Sequence, residues 1–227
     1  MKRIFQILLF IFTLGHLSAQ SEDFQKELYI GFGGGALSSS IDFQPSKLQM
    51  FNMGIHAGVS AKYITEKNLG LLLEINYAQK GWAEEFETQP DLSYSRALHY
   101  VEMPFMTHVY FGNKVRFVIN AGPQIGFLFA DNATMSDSFK TYLSEAVSSS
   151  PDDPSVAQYT ADLKRFDYGI TGGAGIEFKS GIGNFQLEGR YYFGLGDVFE
   201  NRKSKNNIFN RSANRNIVAK LTYFFKL

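Results

Sequence analysis

The residues best placed to do chemistry are nine charged side chains that share one parity within segments rich in glycine and aromatic residues. On paired strands, side chains of one parity face one shared interior, where four acids would meet five bases. Such a set either pairs into a solid core or lines a narrow path for protons or ions. We predict the paired core, because buried charges are retained chiefly when they are paired. The candidate charge network comprises Lys62, Glu74, Lys80, Glu102, Arg116, Glu177, Glu188, Arg190 and Lys220.

Catalytic and metal-binding patterns are weak by comparison. A hydrolase or acyltransferase needs a histidine that reaches a nucleophile or a water, and His99 with Ser93 or Ser95 has no spacing that supports such a site. Asp152 and Asp153 lack the spacing of a calcium-binding loop and are interpreted as solvated acids. We therefore predict a protein that is not an enzyme, with no cofactor and no metal.

The parity argument depends on a period-two pattern, which is clearest between Phe51 and Tyr63. There the residues Phe51, Met53, Ile55, Ala57, Val59, Ala61 and Tyr63 alternate with polar residues and glycines. Successive strand side chains point to opposite faces, so one face is apolar with aromatics at both ends and the other is polar. This profile is typical of a transmembrane β-barrel strand.

Eight such segments predict an eight-stranded antiparallel up-and-down barrel, since an even number of strands closes without leaving an edge. Such a barrel is only wide enough for its own side chains to fill. Short connections at 65–68, 112–114 and 179–184 alternate with long ones at 42–50, 85–93, 132–165 and 199–214. This alternation predicts short periplasmic turns, long extracellular loops and both termini in the periplasm. The predicted strands are 28–41, 51–64, 69–84, 94–111, 115–131, 166–178, 185–198 and 215–227.

Two further segments carry local signals. Lys2 and Arg3 precede a short apolar run and small residues, which predicts a signal peptide over 1–20 and a barrel domain over 21–227. In the longest loop, apolar residues from Phe139 to Val147 recur at spacings of three and four, which predicts a short helix capped by Ser136 or Asp137.

Composition narrows the class of protein. The 227 residues include no cysteine, so the fold must hold without disulfides. The chain has 22 basic and 22 acidic residues and a mean hydropathy of −0.15, which excludes a helical membrane protein and gives no sign of nucleic acid binding. With 22 Phe, 12 Tyr and 21 Gly, the composition suits a barrel in which every second strand residue meets lipid.

The last long loop is basic, and we weigh two interpretations of it. At the outer rim, its side chains would lie beside lipopolysaccharide phosphates, which Arg and Lys bind through charge-assisted hydrogen bonds. The alternative is that the loop is simply solvated. The candidate basic loop comprises Arg202, Lys203, Lys205 and Arg211, with Arg215 just beyond it.

Several motifs follow one another along the chain: Tyr100-Val101-Glu102-Met103-Pro104, Gly122-Pro123-Gln124-Ile125-Gly126, Asp167-Tyr168-Gly169, Gly172-Gly173-Ala174-Gly175-Ile176-Glu177 and Glu188-Gly189-Arg190-Tyr191 with Gly194-Leu195. In this order they resemble the PorT-like family of outer-membrane β-barrels. The likeness covers most of the predicted mature chain and implies an eight-stranded barrel in the outer membrane of a Gram-negative bacterium, with no catalytic residues to carry over. One member of that family takes part in type IX protein secretion, while many relatives have no assigned role.

Three functions remain open from the sequence. The first is a monomeric barrel with a structural, adhesive or partner-binding role through its extracellular loops, held in outer-membrane lipid and with possible envelope protein partners. The second is a barrel subunit of a protein-export apparatus. The third is a soluble lipocalin-like binder of an apolar ligand, which would place the apolar face inside. Aromatics at both ends of the apolar band favour the membrane.

Overall fold

Long antiparallel strands form almost the whole of this computed structural model, which describes residues 24–84, 86, 91–149, 156, 158–159, 161–199 and 209–227. The predicted signal peptide therefore lies outside the described residues. The strands are β1 (Glu27–Gln44), β2 (Gln49–Met50), β3 (Asn52–Glu66), β4 (Leu69–Glu84), β5 (Tyr94–Gly112), β6 (Val115–Met135), β7 (Phe166–Ser180), β8 (Gly183–Asp197) and β9 (Arg211–Lys226).

Eight of these strands close into a barrel. Each long strand pairs antiparallel with its neighbours in the order β1, β3, β4, β5, β6, β7, β8 and β9, and β9 returns to pair with β1. The two residues of β2 pair with Glu84 and Ala83 at the C-terminal end of β4. The predicted eight-stranded antiparallel barrel is confirmed.

Short turns and long connections lie at opposite ends of the barrel, as the spacing of the segments predicted. The turns after β3, β5 and β7 share one end with both ends of the described chain. Asn68 and Gly112 adopt positive φ angles of 73° and 108°, which tight reversals of the chain require and which Gly and Asn tolerate best. The connections after β1, β4, β6 and β8 all lie at the other end, called here the outer end.

Strands reach further at the outer end than the apolar alternation predicted. β6 continues to Met135 and β9 begins at Arg211, four residues beyond the predicted bounds in each case. Most of the added residues are polar, and those of β9, such as Ser212 and Asn214, are paired in the ladder with β1. Pairing continues there without the apolar face that reveals a strand in the sequence.

The two faces of the wall differ in polarity. The outer surface is a continuous band of exposed apolar side chains, whereas most of the buried side chains in the middle of the barrel are charged or polar. A soluble barrel that binds an apolar ligand requires the reverse. Exposed members of the band include Phe32, Ile55, Val59, Leu73, Ile75, Phe105, Phe117, Phe127, Ile170, Ile176, Leu187, Leu195, Ile217 and Leu221.

The interior is built in three layers. The layer near the short turns is an apolar cluster that includes Tyr29, Leu72 and Phe224. The middle layer holds the charges. The layer at the outer end is a larger aromatic cluster around Trp82 and Phe199.

One helix contributes to that outer layer. Helix α1 (Asp137–Ser149) is capped by Ser136, whose Oγ accepts a hydrogen bond of 3.3 Å from Phe139 N. It buries the Phe139 ring within the outer aromatic cluster. The predicted helix and its cap are confirmed. No helix in the described part of the chain is long and apolar enough to cross a membrane.

The polarity of the wall predicts the effect of a charge on its outer face. Leu73 lies midway along the apolar face of β4, so Leu73→Arg should destabilise the folded barrel by about 2–4 kcal/mol, the usual cost of Arg at the bilayer midplane. Ser40→Arg, on the outward face of β1 beyond the apolar band, is the control and should cost far less. Denaturant unfolding in lipid vesicles measures the free energy of unfolding of both variants. Equal losses would contradict the assignment of the apolar face to lipid.

Candidate functional site

The group of charges nearest the short turns joins β3, β6 and β7. Lys62 forms an ion pair with Glu177, which also accepts a hydrogen bond of 3.3 Å from Arg116. The Lys62 ammonium lies 4.0 Å from the centroid of the Phe224 ring, and the Arg116 guanidinium lies 4.2 Å from that of Tyr110. Ring faces attract cations, so the apolar layer below also stabilises these charges.

The central group is organised around Glu74. Its two carboxylate oxygens accept paired hydrogen bonds of 2.6 and 2.9 Å from Arg190, the bidentate geometry that gives the strongest charge-assisted contacts. Lys220 Nζ lies 3.1 Å from the same carboxylate, and Asn76 and Ser60 donate at 2.9 and 3.2 Å. Four side chains from four strands thus meet at one buried carboxylate.

Glu188 extends this group across the interior. It accepts hydrogen bonds of 2.8 Å from Arg190, 2.8 Å from Gln186 and 2.7 Å from Asn120. Gly173, opposite Arg190 in the ladder, leaves room for it: a β-carbon there would lie 2.6 Å from Arg190 Cγ. A small residue on one strand therefore makes space for a large charged residue on the next.

The uppermost group is centred on Lys80, which forms ion pairs with Glu102 and, at 3.2 Å, with Asp167. Asn214 also donates to Asp167, at 3.0 Å. The Lys80 ammonium lies 4.4 Å from the centroid of the Tyr192 ring. The structure places all nine side chains of the candidate charge network inside the barrel and brings them together in these groups.

Asp167 is the charged residue that sequence reasoning missed in the network. It lies between the exposed aromatics Phe166 and Tyr168, so the same parity rule assigns it to the interior. Its inclusion gives five acids and five bases in the middle layer, whose formal charge is then zero. Balance matters because an unpaired charge in this setting costs several kcal/mol.

The three histidines in the described part of the chain do not form a catalytic arrangement with serine. His56 and His108 are buried among the interior polar groups, and His108 Nδ1 lies 2.7 Å from Asn120 Oδ1. His99 lies on the outer side, where its ring nitrogens are 2.7 Å from Tyr77 Oη and 3.2 Å from Asn132 Nδ2. Both nitrogens are thus engaged away from Ser93 and Ser95. Within the described ranges, no group of three or more His, Asp or Glu side chains has a geometry suited to a metal ion.

The outer aromatic cluster is tied together by a buried carboxylate. Glu84 accepts hydrogen bonds of 2.7 Å from Tyr159 Oη, 3.3 Å from Trp82 Nε1 and 3.3 Å from Lys47 Nζ. Burial, together with the Glu84 charge, raises the pKa of Tyr159, so its hydroxyl stays protonated and donates. Side chains from two loops and from β4 therefore hold one cap, defined here as the outer aromatic cluster, α1 and Glu84 with its partners.

Part of the candidate basic loop lies at the outer rim of the wall. Asp42 lies 3.1 Å from Arg211 and 3.0 Å from Arg215, and the Arg215 guanidinium lies 3.8 Å from the centroid of the Phe193 ring. Two guanidinium groups share one carboxylate, which leaves one net positive charge beside the aromatic edge of the band. Arg202, Lys203 and Lys205 lie outside the described residues.

Comparison with known proteins agrees with this arrangement. The model of the outer membrane protein beta-barrel domain matches residues 18–200, so the chain belongs to that family and is an outer-membrane barrel. The comparison with curated proteins finds no match at a significant level.

Several solved structures are similar to this chain at low sequence identity. OprG from Pseudomonas aeruginosa has a TM-score of 0.51 at 10% identity, with 88% of this chain and 96% of that chain covered. Ail, the attachment invasion locus protein of Yersinia pestis, solved with the heparin analogue sucrose octasulfate, has a TM-score of 0.43 at 12% identity and coverages of 88% and 99%. Neisserial surface protein A has a TM-score of 0.43 at 10% identity and coverages of 89% and 100%.

The contacts of Glu74 predict a large effect of removing its charge. Glu74→Gln keeps the size of the side chain but leaves Arg190 and Lys220 facing a neutral group in the interior. We expect a loss of about 3–5 kcal/mol in the free energy of unfolding, as for other broken buried pairs. The control Asp137→Asn breaks an exposed pair with Lys140 and should leave unfolding unchanged. Wild-type stability in Glu74→Gln would show that the cations do not depend on this carboxylate.

Proposed function

We propose that this protein is a monomeric, non-conducting anchor in the outer membrane of a Gram-negative bacterium that holds its folded cap at the cell surface. Its role is structural, adhesive or partner-binding, without catalysis or a cofactor. The observation that carries the proposal is the filled interior: ten charged side chains balance one another between two apolar layers. An ion crossing the barrel would have to lose its hydration in both layers, which is costly.

The orientation proposed for the barrel follows from its two ends. Outer-membrane barrels have short periplasmic turns and long extracellular loops, so the cap faces the outside and both termini face the periplasm. A signal peptide over 1–20 would deliver the chain across the inner membrane.

For the outer leaflet we propose contact with lipopolysaccharide. The guanidinium groups of Arg211 and Arg215 lie 5.9 and 3.8 Å from the centroid of the Phe193 ring, near the outer edge of the apolar band, where lipid phosphates are expected. Guanidinium groups bind phosphate through paired, charge-assisted hydrogen bonds. Asp42 holds both side chains in place, and Arg202, Lys203 and Lys205 precede them in the same loop of the sequence.

A second candidate function is a barrel subunit of a type IX secretion-like export apparatus. The observation that favours it is the resemblance of the ordered motifs to the PorT-like family, a finer grouping than the family of the whole barrel. Purification from native membranes separates the two candidates, because an export subunit should bring down large envelope proteins. The lipocalin-like alternative is disfavoured by the exposed apolar wall and the charged interior.

The absence of cysteine from the natural sequence gives a direct test of surface display. Thr141→Cys places a thiol on the exposed face of α1, and Asn113→Cys places one in the turn between β5 and β6. A membrane-impermeant maleimide should label the first variant on intact cells and the second only after the outer membrane is permeabilised. Labelling of Asn113→Cys on intact cells would reverse the proposed orientation.

The candidate basic loop predicts that association with lipopolysaccharide depends on the positive charges of its side chains. A variant with Arg202, Lys203, Lys205 and Arg211 all replaced by Gln should retain several-fold less lipopolysaccharide per barrel after mild detergent extraction. The matched control replaces Lys67 and Lys114, at the short-turn end, by Gln. Equal lipopolysaccharide in all three proteins would remove the proposed contact.

A further inference from the structure

The outer part of β6 has a free edge. On one side its ladder with β5 continues to the pair Tyr94 and Met135. On the other side its ladder with β7 ends at Phe127 and Phe166, followed by one hydrogen bond of 2.6 Å from Leu128 N to Arg165 O. Beyond that point, residues 129–135 pair with no other strand in the described ranges.

The chain that precedes β7 turns away from this edge. Leu163 pairs with Phe199, and Lys164 N donates to Val198 O at 2.8 Å, so this segment joins the outer end of β8. A gap therefore opens between it and β6. Its base is a cleft of about 310 Å³, lined by Leu128, Leu163 and the charged side chains Arg96, Asp131, Asp162 and Arg165.

The direction of the backbone groups along this edge follows from the hydrogen bonds at its two ends. Ser136 N donates to Ser93 O at 3.0 Å, so the Ser136 amide faces β5. Backbone groups alternate between the two sides of a strand, which turns the amides of Asp131, Ala133 and Met135 toward the gap. The bulge opposite His99 and Tyr100 shifts this alternation, which explains why the Leu128 amide also faces the gap.

Within the described ranges, this edge is paired on one side only. Its ladder with β5 is continuous from residue 130 to residue 135, and the side chains of 131–134 are all exposed. Residues 129–135 span about 20 Å at the usual strand rise, which is the length of a typical strand. Natural proteins usually cover or charge such an edge, because it is a template for a further strand.

The cleft is formally neutral. Arg96 already donates hydrogen bonds of 2.7 Å to Asp131 and 3.4 Å to the carbonyl oxygen of Ala161. The formal negative charge of Asp162 offsets the positive charge of Arg165. An anionic lipid headgroup is attracted only weakly by these four balanced charges. An extended peptide gains binding free energy, because its backbone pairs with the strand edge while Leu128 and Leu163 contact an apolar side chain of the peptide.

From these observations we infer that residues 129–135 of β6 are a docking edge for an extended peptide segment of a partner protein, which joins the sheet as a further strand and anchors in the cleft. This names a partner class for the displayed surface and so rests on the proposed function. The cell-labelling test addresses the orientation separately, because peptide binding to purified protein does not depend on membrane sidedness.

The test uses the full chain in phospholipid nanodiscs and a short peptide of alternating Thr and Val with a lysine at each end. Its fully N-methylated analogue keeps the side chains but has no backbone donors. The first peptide should bind and the analogue should not. Ala133→Pro removes a donor from the edge without breaking the ladder with β5, and should weaken binding about tenfold or more, whereas Ala133→Ser should bind as the wild type does.

Amide hydrogen exchange provides a second readout that needs no variant. The amides of Asp131 and Ala133 should exchange fast in the free protein and slow on addition of the peptide, while those of Asn132 and Thr134, which face β5, should be slow throughout. No binding, equal binding of the methylated analogue, or undiminished binding to Ala133→Pro would overturn the inference. So would protection of the same amides by lipopolysaccharide alone or by dimerisation of this chain.

Discussion

Every charge in the interior of this barrel must meet a partner from another part of the chain. The pairs join distant residues: Lys62 with Glu177, Glu74 with Arg190, and Glu74 with Lys220. Each pair ties strands together across the interior and depends on the register of every strand between them. A slip of one residue in any strand would turn its charges toward lipid and its apolar side chains inward. The pairing therefore selects one register as well as filling the space.

In the proposed function, the interior is filled and partners bind at the outer end. The apolar layer containing Leu72 lies on the short-turn side of the charges, and the layer containing Trp82 lies on their outer side. Above it, Glu84 joins Tyr159 and Lys47 in one cap. The cap, the basic rim and the free edge of β6 are then the surfaces on which a partner can act.

Alternation predicted the fold because it is a local signal repeated in eight strands. The segment from Phe51 to Tyr63 is an example: its alternation assigns each side chain to one face of the sheet without any information from distant residues. The rule also applies to Asp167, whose carboxylate completes the charge balance and which only a full inventory of inward positions would include. The Glu84 contacts and the free edge of β6 were not predictable in this way. Both depend on where loops cross the barrel mouth, which no local period records.

Conductance across planar lipid bilayers tests the central claim most directly. If the paired charges and the two apolar layers close the interior, the reconstituted wild-type protein should give a flat baseline at all applied voltages, and a known open porin in the same lipid should give current steps. Reproducible current steps from the wild-type protein would contradict a filled barrel and would assign the charges to an ion path.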